Sequence, residues 1–176
     1  MSELIKTYPN KLYFVTLTVE GWVNVFDRNI YKDELVKNLK HCQQKEGLQI
    51  YAYVIMSNHL HMVAAREEGD LGELLGRFKS YTAKRPLNMI EANAQESRKE
   101  WMLNLFKHFA VKNNQYSNYH FWNYTNHPVE LWSNEVILQK IEYIHNNPVR
   151  AGIVTEAHYY LYSSACFDSP LKVLAF

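Results

Sequence analysis

Apolar and polar positions alternate near the start of the chain, a pattern that predicts a β-strand over residues 11–19. Two further segments rich in β-branched and aromatic residues, 48–56 and 59–65, are separated only by Ser-Asn. Because this connection is so short, we expect the two strands to pair as an antiparallel hairpin. The aromatic segment 120–124 predicts a fourth strand.

Apolar residues that recur at helical spacing predict three main helices, and the first covers residues 28–45. The predicted N-caps are Asp27, Asp70 and Ser133. The predicted stop signals are Gly47, Pro86 and Pro148. Residues 87–114 are expected to be partly helical, and the segment after Pro148 has no clear pattern.

The resulting order, β-α-β-β-α-β followed by a further helix, predicts an α+β fold with a ferredoxin-like antiparallel sheet. Helices are expected on one face of the sheet, which leaves the other face free for a ligand. The sequence contains no internal repeat, low-complexity segment or linker, and its 176 residues are expected to form one domain.

Composition excludes few classes of function, because the net charge is +1 and 21% of the residues are charged. A nucleic-acid surface would therefore have to be local. Two distant cysteines and an N-terminus without an apolar core favour a cytoplasmic setting. No apolar run approaches the roughly 18 residues of a transmembrane helix, so no membrane association is expected.

His59 and His61 are two residues apart in the third predicted strand, so their side chains should lie on the same face of the sheet. Such a pair could supply two ligands to one metal ion. It could equally be two hydrogen-bonded imidazoles on a hydrated face, and the spacing alone does not decide between these readings.

Tyr143 and Asn147 are four residues apart in the last predicted helix and share one side of it. Asn147 directly precedes Pro148, where its amide could reach a ligand. Tyr143 could equally be a packing residue, and Asn147 an ordinary helix C-cap.

The His-hydrophobic-His (HUH) motif after "VIMSN", together with the late "YIHNNPVRAG", resembles the single-tyrosine HUH transposases of simple insertion sequences. The similarity is greatest to their REP-associated branch and extends from the first strand to about Val154. Family members often have proline at the position of Ser57, where a turn is shaped. The whole chain, residues 1–176, would then be one HUH-type transposase domain.

This resemblance implies that His59, His61 and Asn147 bind Mg²⁺ or Mn²⁺ and that Tyr143 is the nucleophile. It implies nicking of single-stranded DNA through a 5′-phosphotyrosine intermediate, followed by rejoining. The partner would be single-stranded DNA, with a hairpin as the expected target, and a homodimer is possible. Ligand type alone would also allow Zn²⁺, and the sequence does not tell whether Tyr143 acts in its own subunit.

A basic strip on the second helix is a candidate DNA contact, because cations can bind phosphates and an aromatic ring can stack on a base. Its members are Arg77, Lys79, Tyr81, Lys84 and Arg85. Arg150, just past Pro148, is a further candidate for phosphate contact. A solvated helix face would show the same charge pattern.

Two other functions fit parts of the pattern. A non-catalytic nucleic-acid-binding module could use the same strand order, but it would not require His59, His61 and Asn147 together. A zinc hydrolase would need a further protein ligand and a carboxylate base. The tail tyrosines could also be nucleophiles, but no polar ligand lies at a fixed helical offset from them and they are expected to be packing residues: Tyr159, Tyr160 and Tyr162. We expect His145 to face solvent and His127 to lie in a loop, and Glu130 is either an extra acid of the site or a solvated loop charge.

Overall fold

The computed structural model describes residues 6–113, 118–124 and 127–176. These residues form a four-stranded antiparallel sheet in the order β2-β3-β1-β4. The strands are β1 (Tyr13–Thr18), β2 (Leu48–Ile55), β3 (His59–Arg66) and β4 (Val129–Glu130). This order, with helices in the two crossovers, confirms the ferredoxin-like α+β prediction and the β2–β3 hairpin.

Four helices complete the described fold, of which α3 lies in the segment expected to be partly helical. They are α1 (Asn29–Lys45), α2 (Leu71–Ala92), α3 (Lys99–Lys112) and α4 (Asn134–Arg150). Asp70 and Ser133 cap α2 and α4 by accepting backbone N–H bonds, as predicted. The Asp27 cap is wrong, because α1 begins one residue later and the Asp27 carboxylate pairs with Arg98 instead. The predicted segment ended at residue 114, which lies outside the described residues.

Two predicted helix stops are also wrong, since α2 continues through Pro86 and α4 through Pro148. Proline removes one backbone donor from a helix and clashes with the preceding turn. Both rings are nevertheless buried, and in α2 the residues after Pro86 keep the apolar face in the core through Leu87 and Ile90. Tertiary burial thus outweighs the local cost of each proline.

The fourth strand is β4 rather than the predicted segment 120–124. Phe121 and Trp122 are consecutive and both fully buried, which an alternating one-sided strand does not allow. Trp122 forms only an isolated bridge with Val19 beyond the end of β1, and its indole N–H donates to Thr82 Oγ1 at 3.0 Å. The aromatic content of this segment therefore serves the core.

The two faces of the sheet are covered by different helices. Phe14 and Thr16 of β1 lie opposite Val63 and His61 of β3 and share their face. On this face the ring of Tyr143 from α4 packs against His61, so the face predicted to be free is covered in part by the last helix. The β1 residues that alternate with Phe14 and Thr16 point to the opposite face of the sheet and are fully buried there. On that face α1 packs against α2.

The segment after α4 returns along the outer edge of β2. Ser163 bridges Val54, and the Ile55 N–H donates to the Tyr162 carbonyl at 2.9 Å. The Leu174 N–H donates to the carbonyl of Ile50 at 2.8 Å. This pairing shields a sheet edge that would otherwise expose unpaired backbone groups.

Candidate active site

The four residues singled out in the sequence converge within one chain. The ring centroids of His59 and His61 are 4.6 Å apart, and those of His61 and Tyr143 are 5.5 Å apart. The side chain of Asn147 is close enough to His59 to raise the pKa of its imidazole. Residues from β3 and α4 thus meet at a single point on the sheet.

Ordinary features of strand and helix place these groups. Because side chains alternate along β3, both imidazoles point to the α4 side while Leu60 enters the opposite core. On α4 the four-residue spacing stacks Tyr143 and Asn147 on one side of the helix. The intervening Ile144 is fully buried and fixes the rotation of the helix against the sheet.

A hydrogen bond to Nδ1 orients each imidazole. The Nδ1 of His61 is 2.9 Å from Oγ1 of Thr16, its cross-strand partner in β1. The Nδ1 of His59 is 2.7 Å from Oδ1 of Asn58. With Nδ1 engaged in these contacts, Nε2 is the ring nitrogen with which each histidine could bind a metal ion, as in metal sites where the other nitrogen is held by a hydrogen bond.

Burial keeps both imidazoles neutral. It lowers the pKa of His61 to about 3, with smaller contributions from His59 and Lys140. Burial also lowers the pKa of His59, although the hydrogen bond to Asn147 opposes this effect. A neutral imidazole has a free lone pair, so both rings are in the form that binds metals at neutral pH.

The donor set fits a divalent cation with open coordination positions. Within residues 6–113, 118–124 and 127–176, no group of three His, Cys, Asp or Glu side chains could hold a metal ion. A third protein ligand from the described residues would therefore have to be of another type, and Asn147, whose side chain interacts with His59, carries an amide oxygen that could serve. Two nitrogens and one oxygen leave positions for substrate and water.

Aromatic and cationic groups surround the Tyr143 ring. The Phe14 ring lies edge-on to it at 6.0 Å and stacks on His61 at 5.3 Å. The Lys140 ammonium lies 5.7 Å from the Tyr143 centroid, and the Arg150 guanidinium carbon is at the same distance. Two cations are thus available for an anion that approaches the phenol.

The basic strip of α2 is not one continuous cationic surface. Lys79 is only 6% exposed, and its ammonium donates to the Asn123 carbonyl at 3.1 Å, so its assignment to an accessible DNA-binding strip is wrong. Arg77 forms an ion pair with Glu46 at 2.7 Å, and Arg85 forms one with Glu34 at 3.1 Å.

Tyr81 and Lys84 are exposed. Together with Arg77 they line a groove of about 630 Å³ whose wall includes α1 residues such as Lys37 and His41. This groove lies on the α1–α2 side of the molecule, so the predicted strip and the candidate active site are separate features.

Several other candidates have structural contacts. Tyr160 and Tyr162 are buried, and their hydroxyls donate to the Ile55 carbonyl and to the Asp33 carboxylate. The prediction that His145 faces solvent is wrong, because the residue is half-buried, with its Nε2 2.9 Å from Ser164 Oγ. Glu130 pairs with Lys11.

Sequence reasoning missed three residues of the site: Thr16, Asn58 and Lys140. Thr16 could have been found only from the strand register, since its role depends on lying opposite His61. Asn58 had a sequence signal, because it directly precedes the first histidine. Lys140 lies three residues before Tyr143 on α4 and could have been found from helical spacing.

Comparison with known proteins gives a family and a fold. A family model described as "Transposase IS200 like" matches residues 8–108, a range that contains both histidines and ends before α4. The solved "Structure of the REP associates tyrosine transposase bound to a REP hairpin" matches with a TM-score of 0.60 and 14% identity. The alignment covers 93% of this chain and 82% of that chain. No curated protein matches the sequence.

In the part of the chain that the structure describes, no helix combines the length and the apolar character needed to cross a lipid bilayer.

Proposed function

This chain belongs to the IS200-like transposase family, and we propose that it nicks and rejoins single-stranded DNA with Tyr143 as the nucleophile. The observation that carries the proposal is the 5.5 Å separation of the Tyr143 and His61 rings within one chain. Because these groups meet without a second copy, we propose that the tyrosine acts in its own subunit.

The proposed chemistry is a phosphoryl transfer without an external energy source. The phenol oxygen of Tyr143 attacks the scissile phosphorus, the bond from phosphorus to the 3′ oxygen breaks, and that oxygen leaves as a 3′-hydroxyl after taking up a proton. The phenol proton passes to solvent. The phosphoester with Tyr143 keeps the bond energy, so a second 3′-hydroxyl can attack it and restore a phosphodiester.

His59, His61 and Asn147 would hold Mg²⁺ or Mn²⁺ beside the scissile phosphate. Such an ion withdraws charge from the phosphate oxygens and helps to orient the leaving group. Thr16 and Asn58 keep the imidazoles in the required orientation through their contacts with Nδ1. Arg150 and Lys140, both beside the Tyr143 ring, would attract the phosphate and stabilise charge that develops on the phenol oxygen.

The proposed substrate is single-stranded DNA next to a hairpin, and we place the chain in the REP-associated branch of its family. The structural neighbour is described as bound to a REP hairpin, and its fold extends over nearly all of this chain. The late motif "YIHNNPVRAG", outside the range of the family model, supports the same branch.

The decisive experiment is to trap the covalent intermediate. Purified protein is incubated with Mn²⁺ and single-stranded oligonucleotides that carry hairpins from the DNA flanking its gene. We expect an adduct that survives denaturation, maps to Tyr143 by mass spectrometry and disappears in Tyr143→Phe. Tyr159→Phe, which changes an exposed tyrosine in the tail, is the matched control and should form the adduct.

An adduct that persists in Tyr143→Phe would refute the nucleophile. Oligonucleotide binding by the wild type without any adduct, undiminished in His59→Ala and His61→Ala, would favour the non-catalytic binding module instead.

A further inference from the structure

An exposed tryptophan is built into the backbone beside the candidate active site. Trp22 is 66% exposed, and its ring centroid lies 6.2 Å from that of His59. Large aromatic side chains are usually buried because of the apolar area they contribute. An indole that stays in solvent next to a metal ligand is therefore available to bind something.

The backbone at this residue is strained. Trp22 has a φ of 57° and follows Gly21, whose φ is 64°, so two consecutive residues adopt the left-handed region. For a bulky residue this conformation is sparsely populated and energetically costly, and such strain persists where surrounding contacts enforce it.

Gly21 is needed in this turn for a second reason, because a β-carbon there would collide with the ring of Phe109. The turn is thus fixed against α3 from one side.

The same asparagine that orients His59 also holds the turn. The Asn58 side-chain N–H group donates to the Trp22 carbonyl at 3.2 Å and to Asn24 Oδ1 at 2.8 Å. Its Oδ1 is 2.7 Å from His59 Nδ1. The Trp22 N–H donates to the Val19 carbonyl at 3.0 Å. One polar side chain therefore links the backbone of Trp22 to the imidazole of His59.

We propose that Trp22 is a stacking platform for an unpaired nucleobase of the nucleotide next to the phosphate at His59. The inference rests on the proposed function, because it assumes that single-stranded DNA passes His59. Every base has a π-face, so stacking binds a strand without reading its sequence. The hydrogen bonds at the Trp22 carbonyl and N–H fix the backbone from which the indole projects, so little backbone freedom is lost when a base arrives.

The test separates bases from phosphates in a binding measurement. The probes are a thymidine oligonucleotide of about 12 residues and an abasic oligonucleotide of equal length and charge. Affinities are measured in EDTA, where cleavage does not interfere. We expect the wild type to bind the thymidine probe about tenfold more tightly than the abasic probe. Trp22→Leu should lose this preference, whereas Trp22→Phe should keep part of it.

Trp132→Leu is the matched control. It removes a tryptophan that is 79% exposed and lies before the N-cap of α4, at the end of that helix opposite to Asn147, so the preference for thymidine should remain. Leucine and tryptophan both carry a β-carbon, so the left-handed backbone at residue 22 is about equally unfavourable for each. The thermal unfolding temperature of Trp22→Leu should therefore be unchanged.

Two outcomes would overturn the inference: equal affinity of the wild type for both probes, or an undiminished preference in Trp22→Leu. Neither depends on catalysis. Conversely, a base preference that requires Trp22 in a protein that forms no Tyr143 adduct would support the platform and refute the proposed nicking.

Discussion

The two faces of the sheet differ in the groups that surround their basic residues. On the α4 face, Lys140 and Arg150 lie beside the Tyr143 ring, next to two neutral imidazoles. On the α1–α2 face, Arg77 and Arg85 each face a carboxylate. An arginine already paired with an acid adds little attraction for a phosphate. The comparison teaches that a cluster of basic residues in one helix says less about function than the convergence of different elements.

The largest difference between the faces should appear when the histidines are removed. We expect His61→Ala to lower the nicking rate at least about a hundredfold, because even the loss of a residue that orients a ligand typically costs 10- to 100-fold. Arg85→Ala should change the rate by less than about fivefold, since the exposed arginine is paired with Glu34. The measurement is single-turnover cleavage of a labelled oligonucleotide with Mn²⁺.

His41→Ala serves as a control for the removal of an imidazole, because His41 lines the groove on the α1–α2 side. Comparable losses in His41→Ala and His61→Ala would mean that chemistry is not confined to the α4 face.

A smaller effect on the same face should follow from Thr16→Val. This change keeps the shape of the side chain but removes the oxygen 2.9 Å from His61 Nδ1, so the ring loses its orienting partner. We expect Mn²⁺ affinity, measured by titration calorimetry, to fall about 10- to 100-fold. Thr16→Ser retains the hydroxyl and should bind Mn²⁺ nearly as well as the wild type. Equal affinities in all three proteins would contradict a role for Thr16 in orienting His61.

These sites differ in how far the sequence could reveal them. Period-two spacing was enough to place His59 and His61 on one face, and four-residue spacing was enough for Tyr143 and Asn147, because each relation is local. The two pairs meet because α4 packs against β2 and β3. Local spacing does not predict this packing, and only the resemblance to a family implied that the four residues lie together. The role of Thr16 depends on strand register, which local pattern does not determine.

The failures have a common physical cause, which is tertiary burial. The local pattern predicts helix ends at Pro86 and Pro148, yet both are buried inside helices. The charge pattern of α2 predicts that Lys79 is exposed, yet its side chain is buried and its ammonium donates to the Asn123 carbonyl. A long aliphatic stem allows such burial, and charge counting along a helix cannot detect it.

The buried lysine gives a prediction for stability rather than for DNA binding. Burial lowers the pKa of Lys79 to about 8, against 10.5 in the ordinary case. At pH 7 the folded protein therefore holds a buried charge at a cost of at most about 3 kcal/mol. Lys79→Met removes this cost but also loses a hydrogen bond worth about 1 kcal/mol. We expect a net increase of about 1–2 kcal/mol in the free energy of unfolding.

The pKa of Lys79 also determines how the stability of the wild type should change with pH. Between pH 8 and 10.5 the unfolded chain binds more protons at Lys79 than the folded protein does, so the stability of the wild type rises with pH in this range. The advantage of Lys79→Met should be greatest below pH 8 and decline toward pH 10.5 in urea titrations. Lys84→Met, at an exposed lysine of the same helix, should change stability by less than about 0.5 kcal/mol at both ends. A gain in Lys79→Met that does not depend on pH would show that the ammonium is not the destabilising group.

The smallest effect, and the most direct comparison of the two faces, comes from replacing a single arginine on each face by alanine. Arg150 lies beside Tyr143, whereas Arg85 lies on α2 and is paired with Glu34. If only the α4 face contacts the phosphates of a single strand, Arg150→Ala removes one such contact and Arg85→Ala removes none. The slope of log affinity against log salt should then become shallower by about 0.7 in Arg150→Ala and remain at the wild-type value in Arg85→Ala. The reverse result would place the strand on the α1–α2 groove, because counterion release reports which cations neutralise phosphates wherever cleavage occurs.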